Sequence, residues 1–238
     1  MSGITPGCDP SKSAVMDHIE VWLVRLQAAD RQIEHAGSLL SPDERERADR
    51  FRFEEHRIRY ILAHGVLRSL IPDYTRRPPH FVYGPWGKPS LAGDVLEFNL
   101  SHCGEYAAYA FSTSCPVGID IETIRPAPEA MKIAREFFST EEYTELAHAA
   151  RDDAFLVLWT RKEACLKATG AGLGDALDMV RVSTDLDAAI TTAAAADGRR
   201  WTVHTLRTAD LVGAVAWEGG NRETQIHQAE ASALLAQG

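Results

Sequence analysis

The stretch VGIDIETIRP, residues 117–126, sets two acids, Asp120 and Glu122, two positions apart in an otherwise apolar, strand-like run. In an extended strand, residues i and i+2 point to the same side, so the two carboxylates project together. They repel each other unless a cation compensates. On spacing alone two readings stand level. The pair is either the solvated face of an edge strand with Ile119 and Ile121 facing the core, or part of a cation site. Both readings require a strand.

Working outward, short β-like runs precede it at 80–84, 97–101 and 106–112, separated by glycine and proline turns such as GPWGKPS. Helical patterns follow at 127–136, 139–149 and 152–169, the second opening on a capping box of Ser139 and Glu142. Further short strands are expected near 178–184, 200–206 and 211–217. The Ala-rich segment 187–198 leaves helix, strand and loop open. Upstream, HIEVWLVRL (18–26) alternates as a strand does. Ser41 as N-cap with Pro42 behind it starts a helix. A longer helix spans 54–71, with Ile58, Ile61, Leu62, Val66 and Ile71 roughly on one face, and Pro72 ends it.

Strand, helices, strands thus recurs in each half, which argues an α+β fold with mainly antiparallel sheets. The expected division is a disordered leader over 1–17, an N-terminal subdomain over 18–115 and a C-terminal subdomain over 116–238. No internal sequence repeat is visible.

The chain has 238 residues and a formal net charge of −9, from 34 acids against 25 bases. That balance argues against a broad nucleic-acid-binding surface. The four cysteines, Cys8, Cys103, Cys115 and Cys165, form no CxxC or metal-ligand spacing and fit a reducing compartment. The N-terminus has no signal-peptide h-region, and no run approaches the roughly 18 apolar residues of a membrane span. A cytoplasmic location is the expectation.

Three further elements carry chemistry. In WTRKEACLKATG (159–170), Glu163 and Lys167 are i and i+4 on one helical face. They read either as a surface ion pair or, with Asp120 and Glu122, as a third oxygen ligand beside a phosphate-facing lysine. In FNLSHCGEYAAYAFS (98–112), Ser101 and His102 end a strand and are placed to meet a ligand. Adjacent strand residues point apart, so a Ser-His nucleophilic dyad is rejected. GKPSL places Lys88 in a tight turn. Six arginines at 45, 47, 50, 52, 57 and 59 are interleaved with acids. The i,i+4 pairs Glu46–Arg50 and Glu55–Arg59 make much of that surface salt-bridged, leaving one or two arginines for a phosphate.

Together these elements resemble the 4′-phosphopantetheinyl transferase superfamily, in its Sfp-type (surfactin-synthetase-activating) group. The signature is VGIDIE followed some forty residues later by LWTRKEACLK, with LSPDERERADRF, GKP and FNLSH upstream in order. The resemblance runs from about residue 38 to 217. It implies two similar subdomains in pseudo-twofold relation, each a small sheet packed with helices, with the coenzyme A site between them.

It further implies Mg²⁺-dependent transfer of the 4′-phosphopantetheine arm of coenzyme A to a serine of an apo acyl or peptidyl carrier protein, as a holo-acyl-carrier-protein synthase does. Adenosine 3′,5′-bisphosphate is released. By position, Asp120, Glu122 and Glu163 resemble the Mg²⁺ ligands (Mn²⁺ being an alternative occupant), with Glu163 also the base. Lys167 resembles the lysine at the pyrophosphate. Arg47, Arg59, Lys88, Ser101 and His102 match contacts to the nucleotide end. Glu44 departs from the pattern, since relatives often carry a basic residue there, and Tyr60 stands where a small hydroxyl residue is found. Carriers of fatty-acid, polyketide and nonribosomal-peptide synthesis all fit, and a monomer suffices because two fused halves build the site.

Two competing readings differ in kind. A Mg²⁺-dependent phosphodiesterase acting on coenzyme A would share the acids without needing a carrier-docking surface. A non-catalytic binding module would be expected to have lost an acid or the lysine. A docking patch within 123–158 would involve Phe137 and Phe138, residues equally suited to the core.

Overall fold

The computed structural model describes residues 17–93, 96–170 and 177–236, so the expected leader lies, but for Asp17, outside the described residues. The first half runs β1 (His18–Arg25), α1 (Asp30–Leu39), α2 (Pro42–Asp49), α3 (Glu54–Thr75), β2 (Phe81–Tyr83), β3 (Pro89–Leu91), β4 (Glu97–Cys103) and β5 (Tyr106–Ser112). The second runs β6 (Val117–Thr123), α4 (Ala130–Phe137), α5 (Thr140–His148), α6 (Ala154–Thr169), β7 (Val180–Val182), β8 (Ile190–Ala195), β9 (Arg200–Arg207) and β10 (Leu211–Glu218). β11 (Glu223–Glu230) and α7 (Ala231–Leu234) close the chain.

The winding is the same in both halves. β1 pairs antiparallel with β5 and β5 with β4, just as β6 pairs with β10 and β10 with β9. The longest helix of each half, α3 and α6, packs its apolar side on that half's sheet. A third apolar cluster, including Ile19, Val21, Ala110, Ile119, Val215 and Trp217, joins the two sheets. The fold is therefore α+β, with mainly antiparallel sheets packed against helices.

A device also repeats. Ser41 caps α2 and Ser139 caps α5, each accepting from the backbone N–H of a glutamate three residues on, Glu44 and Glu142. Both glutamates are buried and ion-paired to the long helix of their own half. Glu44 meets Arg68 at 2.7 Å and Glu142 meets Lys162 at 2.9 Å. Phe138, stacked on Phe155 at 5.6 Å, and Phe137 belong to the core rather than to an exposed patch.

Some elements differ from expectation. Pro72 does not end the third helix. It lies in the last turn, where its carbonyl still accepts from Arg76 N–H at 2.8 Å, and Arg76 stops the helix in the left-handed conformation at φ 56°. The Ala-rich segment contains strand β8. The segment expected as the C-terminal subdomain does not stay in its own half: β11 lies parallel to β1 at the edge of the first sheet. There His227 stacks on Trp22 at 4.5 Å, with its Nε2 3.1 Å from the buried Glu20.

Candidate active site

β6 is buried on both faces from Val117 to Ile121, so the opening stretch is no solvated edge face. Gly118 explains how α6 comes so close. A Cβ there would lie 2.1 Å from the carbonyl oxygen of Ala164 and 2.3 Å from the amide of Ala168. Only a glycine permits this approach, and it sets the Glu163–Lys167 turn of α6 against Asp120.

Asp120 is 5% exposed. Its Oδ1 accepts from Ser101 Oγ at 2.9 Å and from Lys167 Nζ at 2.6 Å, and Lys167 also donates to Ser101 Oγ at 3.1 Å. Lys167 is thus turned to Asp120 of the other element, not spent as a surface pair with Glu163. Asp120 Oδ2 and Glu163 Oε1 are buried without a hydrogen-bond partner. Burial, then the charges of Asp120 and Glu122 against the relief from Lys167, pushes the Glu163 carboxyl up to about 7.

Among the described residues, no group of three or more His, Cys, Asp or Glu side chains is closed up as a metal cage. Glu122 instead meets Cys103 Sγ at 3.2 Å and Arg125 at 4.0 Å. The donor chemistry nevertheless fits a hard divalent cation, because two buried, orphaned carboxylate oxygens are what Mg²⁺ would take up.

A cavity of about 540 Å³ opens beside this cluster, lined by Arg47, Tyr60, His64, Tyr83, Ser101, His102 and Lys167 among others. Asp43 and Glu44 line it too, so its charge is mixed, and Arg47 and Lys167 are the cations it offers to a nucleotide-sized anionic ligand. Burial, followed by the neighbouring charges of His64, Lys167 and Arg47, holds the His102 imidazole below its ordinary range. The structure therefore brings together Arg47, Ser101, His102, Asp120, Glu163 and Lys167.

Two expected nucleotide contacts lie elsewhere. Arg59 is ion-paired to Glu55 on the surface. Lys88 donates to the carbonyls of Ala168 at 2.9 Å and Val117 at 3.3 Å. His64 and Tyr83 are cavity residues that the motifs did not single out. His64 stacks on Tyr60 at 4.1 Å, a contact available to any Tyr and His spaced i,i+4 on a helix. Glu44, where a basic residue was expected, is held at about 2. Burial alone would raise it, but hydrogen bonds from His64, Arg68 and the Ser41 N–H outweigh that.

Comparison with known proteins agrees with this geometry. A family model described as the 4′-phosphopantetheinyl transferase superfamily matches residues 116–216, which include β6 and α6. The chain is 37% identical over 175 residues to the 4′-phosphopantetheinyl transferase HetI of a Nostoc species, covering 69% of this chain and 73% of the relative. It is 34% identical over 157 residues to the 4′-phosphopantetheinyl transferase Sfp of Bacillus subtilis, covering 63% and 69%. A Salmonella typhi relative, AcpT, is 42% identical over 117 residues, 47% of this chain and 59% of its own. The chain belongs to the 4′-phosphopantetheinyl transferase superfamily, and it is a transferase of the phosphopantetheine arm of coenzyme A.

Proposed function

We propose that this enzyme transfers the arm to the serine hydroxyl of an apo carrier protein in a Mg²⁺-dependent reaction, releasing adenosine 3′,5′-bisphosphate. The observation that carries the reading is the buried pair Asp120 and Glu163, with orphaned oxygens, next to Lys167 at the edge of a cavity that Arg47 also lines. The new bond forms between the serine oxygen and the phosphorus that bears the pantetheine. The P–O bond to the nucleotide half of the pyrophosphate breaks.

Asp120, Glu122 and Glu163 would hold the cation, which when bound neutralises the pyrophosphate and polarises the breaking bond. Glu163 takes the serine proton. The cation's charge would keep the Glu163 carboxylate ionised at neutral pH, as a base requires. Lys167 meets the charge that builds on the departing phosphate. Ser101 fixes Asp120, and Arg47 and His102 line the wall against which the nucleotide end lies. Lys88 and Arg59 contribute at that end only if they turn from their present partners.

The four scattered cysteines support a reducing, cytoplasmic setting. Among the described residues no helix is long and apolar enough to cross a membrane. The site is complete within one chain, which supports a monomer.

Mass spectrometry of several apo carrier proteins incubated with coenzyme A and Mg²⁺ tests the reading. The expected result is a gain of one phosphopantetheine arm on at least one of them. No gain on any carrier, with coenzyme A still bound, would favour the binding-module alternative. Cleavage of coenzyme A without carrier modification would favour the phosphodiesterase.

A further inference from the structure

β4 and β6 belong to different sheets, and side chains rather than a backbone ladder stitch them together. Alternate residues of β4 each take one position of β6. Asn99 Oδ1 accepts from the Ile119 N–H at 2.9 Å, Ser101 Oγ donates to Asp120 at 2.9 Å, and Cys103 Sγ lies 3.2 Å from Glu122 Oε2. The first two contacts are buried, and the third lies at the rim of the seam.

We propose that Cys103 is a positioning residue for Glu122. Its thiol donates to Oε2 and leaves the other carboxylate oxygen free for the divalent cation, as Ser101 does for Asp120 one step along the strand. This rests on the reading of Glu122 as a cation ligand.

The physical need is specific to Glu122. Unlike Asp120 and Glu163 it is partly exposed, and its side chain has rotamer freedom to lose on binding. Its ion-pair partner, Arg125, is 4.0 Å away on a side chain 68% exposed, too loose to fix it. Cys103 is anchored at the end of a strand, and Thr123 Oγ1, 3.6 Å from the sulfur, supplies a second polar contact that orients the thiol. Donors behind a ligating carboxylate typically change metal affinity by about 10–100-fold. A thiol is a weak donor, so the lower end applies here.

The test is Mn²⁺ binding, followed by electron paramagnetic resonance of the free ion, in the presence of saturating coenzyme A. Wild type is compared with Cys103→Ala, Cys103→Val, Cys103→Ser and Glu122→Gln. Both apolar variants should weaken Mn²⁺ binding by about 10-fold. Cys103→Ser, which restores a donor, should return close to wild type. Adding Cys103→Ala to Glu122→Gln should cost nothing more.

If Glu122→Gln loses affinity while Cys103→Ala and Cys103→Val keep it, the positioning role is wrong. The role is equally overturned if the serine variant binds as weakly as the apolar ones, since volume rather than hydrogen bonding would then be responsible. If Glu122→Gln itself binds Mn²⁺ normally, the ligand reading of Glu122 fails first.

Discussion

Glu163 is held in a position that costs stability. It is 3% exposed, one of its oxygens has no partner, and Asp120 and Glu122 add like charge. A carboxyl raised from 4.5 to about 7 takes up a proton on folding. Its stability contribution is therefore complete below the unfolded value and is lost as pH rises through the folded one. Above that window the ionised group costs about 3 kcal/mol in the metal-free protein. Glu163→Gln removes the charge and keeps the shape. It should cut carrier modification by roughly 10²–10⁴-fold, while making the metal-free fold more stable at pH 8. Urea unfolding of both proteins at pH 8, beside single-turnover transfer, checks this. A glutamine variant that is less stable than wild type would show that the burial argument is mistaken. The motif made this residue legible, because Glu and Lys at i,i+4 in WTRKEACLK stand out. That Lys167 reaches across to Asp120 was not legible, since it depends on how closely β6 and α6 approach.

Elements show what local sequence encodes and what it omits. Both capping boxes are written in four residues, Ser-Pro-Asp-Glu and Ser-Thr-Glu-Glu, and both form. Nothing local reveals that each box's glutamate turns inward to a cation on the long helix some twenty residues later. That partnership is a tertiary fact, and it accounts for Glu44 standing where a phosphate-binding base was expected. Helix α1 and strand β11 escaped notice for a related reason. The segment ETQIHQAE is polar and mostly exposed, and only its register beside β1 makes it a strand. Glu44 offers a test at this scale. Its carboxyl is depressed from 4.5 to about 2, so its contribution is present above the unfolded value and lost as pH falls towards the folded one. Glu44→Gln leaves Arg68 buried without its counter-charge and should cost about 3 kcal/mol at pH 7. The gap from wild type should narrow as the pH drops from 4.5 to 2, as followed by denaturant midpoints. A gap that stays constant with pH would mean that the capping hydrogen bonds, not the ion pair, carry the effect.

At the scale of the whole molecule the candidate catalytic cluster exists only where the two halves meet. β4 supplies Ser101 and Cys103, β6 supplies Asp120 and Glu122, and α6 supplies Glu163 and Lys167. The sequence announced every piece but Cys103, which it showed only as one of four scattered cysteines, and the order of the motifs implied two halves. It did not show that the last strand returns to the first sheet, because a parallel pairing between residues some two hundred positions apart leaves no local trace. Lys88 belongs to this level of organisation. Its turn also provides cavity-wall residues Gly87 and Pro89, while its ammonium caps carbonyls at the start of β6 and the end of α6. In this state it is a clip between the halves. Removing a charged donor from two carbonyls costs about 1.5–3 kcal/mol, which for a chain of this size lowers Tm by roughly 3–12 °C. Lys88→Met should therefore melt earlier, and its kcat should fall together with a rise in the KM for coenzyme A, because the cavity wall and the ends of β6 and α6 loosen as a unit. Differential scanning calorimetry alongside steady-state kinetics separates this from a direct contact. A variant with the wild-type Tm and kcat, and only a higher KM for coenzyme A, would place the Lys88 ammonium on the nucleotide instead of between the halves.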